Sequence, residues 1–178
     1  MFSQSFLDAF DRVIGNEGGF QDDPMDRGNW TGGEIGKGHL KGTKYGISAM
    51  TYPDLPLVSM KDLSIDQARI IYRDDFWNTL GLDKVDNTSI GYQLFDAAIN
   101  HGFRNATKMI QRACGADADG YIGPETICKI NETDKNDLLL RFLAERLIFM
   151  THISTWERYG KGWARRIAHN LVYASKDN

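Results

Sequence analysis

Hydrophobic residues recur at helical intervals over most of this chain, and one segment near the front breaks the rhythm. Ser3 to Gly15 sets Phe6, Leu7, Phe10, Val13 and Ile14 at helical spacing, with Ser5 and Asp8 where a cap and a first-turn acid belong. Gly18-Gly19 predicts that this helix stops near Gly15-Asn16. Ser64-Ile65-Asp66-Gln67 has the form of a capping box and opens a helix running through Ala68, Ile71, Tyr72 and Phe76. Ile90 to Asn100 is apolar enough to predict a central, mostly buried helix. Four more helical stretches follow: Asn105 to Cys114, a short one opened by Pro124, Asp134 to Ile153, and Trp163 to Ala174.

Between Gly18 and Gly46 the periodicity is lost and glycines crowd in. Residues 18–48 therefore read as loops with at most a short β-hairpin, for which the alternation of Thr43, Tyr45 and Ile47 is the one strand-like signal. An irregular stretch of this length in a compact domain usually carries function. The expected fold class is mainly α.

Composition narrows the function. The chain has 178 residues and is 42% hydrophobic, enough for a real core. A formal charge of -3 without long charged runs argues against a nucleic-acid partner. No stretch approaches the roughly 18 apolar residues of a membrane span, so no integral membrane segment is expected. The N-terminus lacks the features of a signal peptide, which predicts synthesis in a cytoplasm and a separate exit route for any work outside it. Cys114 and Cys128 are expected to be buried free thiols. His39, His101, His152 and His169 have no zinc spacing, and Asp117 and Asp119 lack the glycine offset and closing glutamate of a calcium loop. No metal and no cofactor are expected.

Glu17 is the most informative residue. It follows the last turn of an amphipathic helix and precedes Gly18, Gly19 and Phe20. The partial negative charge of a helix C-terminus disfavours a carboxylate and favours the protonated form, as general-acid cleavage of a glycosidic bond requires. Phe20 and Trp30 are candidates for an apolar wall against a sugar. Asp26 is the natural second carboxylate, competing with Asp22, Asp23 and Glu34. Thr43, Tyr45 and Ser48 offer hydroxyls for a water or an N-acetyl group. On residue types alone, Glu17 also reads as a solvated glutamate past a helix end, Asp26 as a turn residue beside Gly28, and Thr43 to Ile47 as a plain strand.

Taken together, Glu17-Gly18-Gly19-Phe20, Asp26-Arg27-Gly28, Gly33 and Thr43-Lys44-Tyr45-Gly46-Ile47-Ser48 resemble the N-terminal signature of glycoside hydrolase family 108, lysozyme-like N-acetylmuramidases of phage endolysins and bacterial secretion systems. Phe20 stands where a tyrosine is common, and Glu34 to Lys41 looks like an insertion. The stretches Leu94-Phe95-Asp96 to Asn100-His101-Gly102, Asp119 to Thr126, and Gly162 to Arg166 are similar to the peptidoglycan-binding region that usually completes such enzymes.

The resemblance implies a lysozyme-like fold of two lobes around a groove, a catalytic region over residues 1–92, and a helical peptidoglycan-binding region over 93–178. It implies Glu17 as the essential acid; with it, Asp26 and Thr43 are the expected catalytic partners, and Phe20, Trp30, Tyr45, Ser48 and Asn100 the expected contacts to the glycan. The expected partner is the glycan strand of bacterial peptidoglycan, met by a monomer after release through a holin or another export route. The alternatives are a lytic transglycosylase and a non-catalytic wall-binding module.

Overall fold

The computed structural model describes residues 2–14 and 19–177. The predicted end of the first helix at Gly15-Asn16, and Glu17 and Gly18 with it, lie outside the described residues. Seven α-helices and one two-stranded sheet are present among the described residues, a mainly α architecture. The chain divides into two compact units, one formed by Phe10–Asp74 and the other by residues through Ala9 together with those from Asp75 onward.

In the first unit, the C-terminal part of α1 (Gln4–Ile14) and α2 (Ile65–Tyr72) supply the helical material. The cap of α1 is Ser3, whose hydroxyl accepts the Phe6 N–H at 3.4 Å, and not Ser5, which already lies inside the helix. Ser64 and Gln67 form the predicted capping box at α2. Phe10, Ile14, Ile47, Ala49, Met60, Leu63, Ala68 and Tyr72 are buried here, with the Phe10 and Tyr72 rings meeting edge to face at 5.6 Å. So small an apolar core cannot by itself organise the long loop between the helices. Two lysines help: Lys41 Nζ donates to the carbonyls of Pro53 and Leu55, both at 3.2 Å, and Lys44 Nζ donates to those of Lys61 and Leu63 at 2.7 and 2.9 Å. Each satisfies carbonyls that no strand or helix pairs.

The second unit is a helical assembly centred on α3 (Thr88–His101), with α4 (Phe103–Cys114), α5 (Pro124–Glu132), α6 (Lys135–Thr151) and α7 (Trp156–Lys176). Every residue from Ser89 to Ala98 is buried, in keeping with the mostly buried helix predicted over Ile90 to Asn100, and the polar Ser89, Gln93 and Asp96 are buried with the apolar ones. Helix α2 continues into a π-helical stretch, Arg73–Asn78, so Phe76 lies past the end of regular α-helix. Trp77 is buried, packs edge-on against Phe6 and Phe95, and donates its indole N–H to Asp83 at 2.8 Å. Helix α7 begins seven residues before the predicted start. Gly160 and Gly162 disguise its first two turns as loop, yet Gly160 is the residue that lets the Trp156 indole lie flat, since a Cβ there would come within 2.7 Å of the ring. Trp156 and Trp163 pack on Leu143, Met150 and Ile167. Both cysteines are free. Cys114 is buried, but Cys128 is exposed on α5 with its thiol directed at Glu132, contrary to the expectation of two buried thiols.

A charged cluster sits inside this helical core. The Asp96 carboxylate on α3 receives Arg146 of α6 at 2.5 Å, Arg166 of α7 at 3.1 Å and the Asn170 amide of α7 at 2.9 Å. Arg146 also donates to Gln93 at 3.1 Å, and Tyr92 donates to Asn170 at 2.9 Å. Burial pushes the Asp96 carboxyl up, but the two guanidiniums and the Asn170 amide outweigh it and hold it below the usual carboxylate range. His101, ending α3 against Phe149, is pushed down to about 4 by burial and by Arg146, so it is neutral at pH 7.

A carboxyl lowered by folding stabilises the native state above its unfolded value, near 3.9, and loses that contribution as pH falls through the folded value. Asp96→Asn is therefore expected to lower the unfolding free energy by on the order of 3 kcal/mol at pH 7, because it leaves Arg146 charged and unpaired. Denaturant titrations should show the gap between wild type and variant closing as pH falls below about 4.

Candidate active site

The irregular segment is organised by one buried polar residue. Asn29 is wholly inaccessible to solvent and closes a 3-10 turn, Arg27–Asn29, whose N-cap is Asp26. Asp26 Oδ1 accepts the Gly28 N–H at 2.8 Å, and Asp26 Oδ2 accepts the Gln21 side-chain amide at 3.1 Å. The Asn29 amide reaches Gln21 and the Asp23 carbonyl, at 2.8 and 2.9 Å, while its oxygen accepts from Thr43 Oγ1 at 2.7 Å. The Asn29 main-chain carbonyl accepts the N–H groups of Lys41 and Gly42 at 3.0 and 3.1 Å. One residue thus ties three separate stretches of loop together.

Thr43 and Lys44 form β1, paired antiparallel with β2, Ile47 and Ser48, so that Thr43 faces Ser48 and Lys44 faces Ile47. Gln21 pairs with the other edge of Thr43 through two main-chain bonds of 3.0 and 2.8 Å. Tyr45 and Gly46 make the turn, both with positive φ (54° and 75°), as a two-residue type I′ connection requires. A positive φ is unfavourable for a bulky side chain such as Tyr45. Tyr72, its hydroxyl buried and pushed up to about 12 by burial, donates to the Tyr45 carbonyl at 3.0 Å and holds the turn in place.

The structure brings Asp26 and Thr43 into one hydrogen-bonded network, with Phe20 close by: the Phe20 ring lies where a Cβ on Gly42 would come within 2.6 Å. Trp30 is half-buried, donates its indole N–H to the Pro24 carbonyl at 2.9 Å and bridges to Leu40. The Tyr45 ring is half-buried with Lys44 Nζ 5.0 Å from its centre. Ser48 is engaged locally, its hydroxyl 3.0 Å from that of Thr51 while accepting the Thr51 N–H. Asn100 belongs to the other unit, where its amide donates to the Asp96 carbonyl and carboxylate at 2.7 and 3.2 Å. Asp22, Asp23 and Glu34 are exposed, with Glu34 paired to Lys37. Gln21 and Asn29 did not emerge from the sequence: nothing in a glycine-rich loop marks Asn29 as buried, and Gln21 is an exposed amide whose partners only the fold supplies.

The irregular segment thus presents a carboxylate joined through two side-chain amides to an inward-bonded hydroxyl. The sequence pattern of glycosyl hydrolase 108 matches residues 10–102, about half of the chain and all of the network just described. The chain belongs to that family. Its fold is similar to the solved structure of Brucella abortus SagA, with a TM-score of 0.78 and 27% identity over 97% of this chain and 94% of that one. No curated protein sequence matches the chain. The protein is a peptidoglycan-hydrolysing glycosidase with a lysozyme-like, mainly α fold. No helix among the described residues is long and apolar enough to cross a membrane.

Gly46→Ala tests the turn. The added methyl would meet the Tyr72 hydroxyl at 2.7 Å on a backbone of positive φ. The expected loss is about 1–2 kcal/mol of unfolding free energy, seen as a lowered midpoint in urea, together with reduced lysis.

Proposed function

We propose that the protein is an N-acetylmuramidase that cleaves the β-1,4 bond between N-acetylmuramic acid and N-acetylglucosamine by single displacement. Glu17 acts as the general acid, Asp26 as the base and Thr43 as the group that orients the water. The observation that supports this reading is the union of Asp26 and Thr43 in one network, inside the stretch that matches the family and carries the Glu17-Gly18-Gly19-Phe20 signature.

In this scheme Glu17 gives its proton to the glycosidic oxygen as the bond from C1 to that oxygen breaks. A water attacks C1 from the opposite face, its oxygen forming the new bond and its proton passing to Asp26. Attack on that face inverts the anomeric centre. Phe20, Trp30 and Tyr45 line the sugar path.

Glu17→Gln keeps shape and hydrogen bonding but removes the transferable proton, so lysis is expected to fall by about 10²–10⁴-fold with folding intact. Residual activity within about tenfold of wild type would remove Glu17 from the role, since one positioned acid contributes at least 10²-fold. Early-time proton NMR of the wild-type digest should show a reducing N-acetylmuramic acid end appearing first as the α-anomer. A β-anomer would mean retention, and 1,6-anhydromuramic ends would make the enzyme a transglycosylase.

A further inference from the structure

We propose that Asn29 is a positioning residue that sets the direction of the hydrogen bonds in the Asp26–Thr43 network, so that the Thr43 hydroxyl can only accept a bond from the attacking water. The inference rests on the muramidase reading above.

The two ends of a side-chain amide differ in chemistry, and main-chain neighbours distinguish them here. The Asp23 carbonyl can only accept, so the Asn29 atom 2.9 Å from it is the nitrogen. The Asp23 N–H can only donate, so the Gln21 atom 3.2 Å from it is the oxygen. These two anchors are independent, and they agree. Asn29 Nδ2 donates to Gln21 Oε1 at 2.8 Å, and Gln21 Nε2 donates back to Asn29 Oδ1 at 3.1 Å. The second proton of the Gln21 amide goes to Asp26 Oδ2.

Asn29 Oδ1 is therefore an acceptor when it meets Thr43 Oγ1 at 2.7 Å, and the single hydroxyl proton of Thr43 is committed inward. Only lone pairs of Oγ1 remain for anything else. A water bound there must donate one proton to Thr43. Its other proton is then left for the Asp26 carboxylate, and an oxygen lone pair is left for C1. With the Asn29 amide reversed, Thr43 would accept from nitrogen and turn its proton on the water, drawing on one of the water's two lone pairs and making it a weaker nucleophile. Because Asn29 is wholly buried, water has no access to replace its bonds.

The test measures kcat and KM on soluble peptidoglycan oligomers for wild type, Thr43→Val, Asn29→Ala and the double variant. Each single change is expected to lower kcat by about 10–100-fold, the cost of a misplaced reactant, with KM within about threefold. The double variant is expected to be no worse than either single one, since both remove the same oriented water. Fully additive losses, or a raised KM with unchanged kcat, would make Asn29 purely structural and overturn the proposal.

Asn29→Asp supplies a second readout. A carboxyl at this position, ionised or not, still accepts from Thr43 and keeps its proton inward, so Asn29→Asp is expected to retain at least about tenfold more kcat than Asn29→Ala at equal folded fraction by circular dichroism. An Asn29→Asp kcat no higher than that of Asn29→Ala overturns the proposal, as does failure of both Asn29 variants to fold. Wild-type kcat in Thr43→Val would instead remove the muramidase reading of Thr43, whatever Asn29 does.

Discussion

The Asp96 carboxylate is buried among helices, and a charge so placed is tolerable only if everything around it donates to it. Arg146, Arg166 and Asn170 do so from two different helices, and Gln93 and Tyr92 of the same helix bind the donors in turn. The packing of α6 and α7 on α3 is thus specified by direction as well as by apolar area. A helix sliding by one turn would keep much of its hydrophobic contact but would strand a guanidinium or a carboxylate. That penalty gives the helical unit a unique register, which Leu and Phe alone would leave loosely defined.

The loop-bearing unit faces the same constraint with less apolar material. Its carbonyls and N–H groups cannot be paired by two strands of two residues each, so side chains complete the pairing. Lys41 and Lys44 satisfy four carbonyls, and the Asn29 side chain satisfies that of Asp23 just ahead of the turn that carries Asp26. The bonds that keep the loop from unravelling are also the bonds that fix the Thr43 and Asp26 side chains. Rigidity in such a site comes from directed polar contacts, because glycines supply the close approach a substrate needs but no stiffness.

Much of this was legible in the order of residues. The capping box at Ser64, Pro124 at the first turn of its helix and the burial of Ser89 to Ala98 each depend on neighbours within a few positions, whereas the strand-like alternation of Thr43, Tyr45 and Ile47 is broken by a turn at Tyr45 and Gly46. The start of α7 did not show, because Gly160 and Gly162 lower helix propensity locally and only the Trp156 ring, packed over Gly160, explains the first glycine. Cys128 was expected to be buried among apolar neighbours, yet the helix turns it to solvent.

Local sequence therefore determined the elements, the mainly α class and the family, and it singled out Asp26 and Thr43 as groups able to act on a sugar bond. Glu17 remains known through sequence, since it lies outside the described residues. Only tertiary structure decided that Asp26 and Thr43 are joined, that Asn29 and Gln21 join them, and that Asp96 anchors three helices. The reason is physical. Helix propensity, capping and turn geometry act over three or four residues, whereas pairing a buried amide or carboxylate is settled by whichever group the fold delivers to it, 14 residues away for Thr43 and Asn29 and 50 for Arg146 and Asp96.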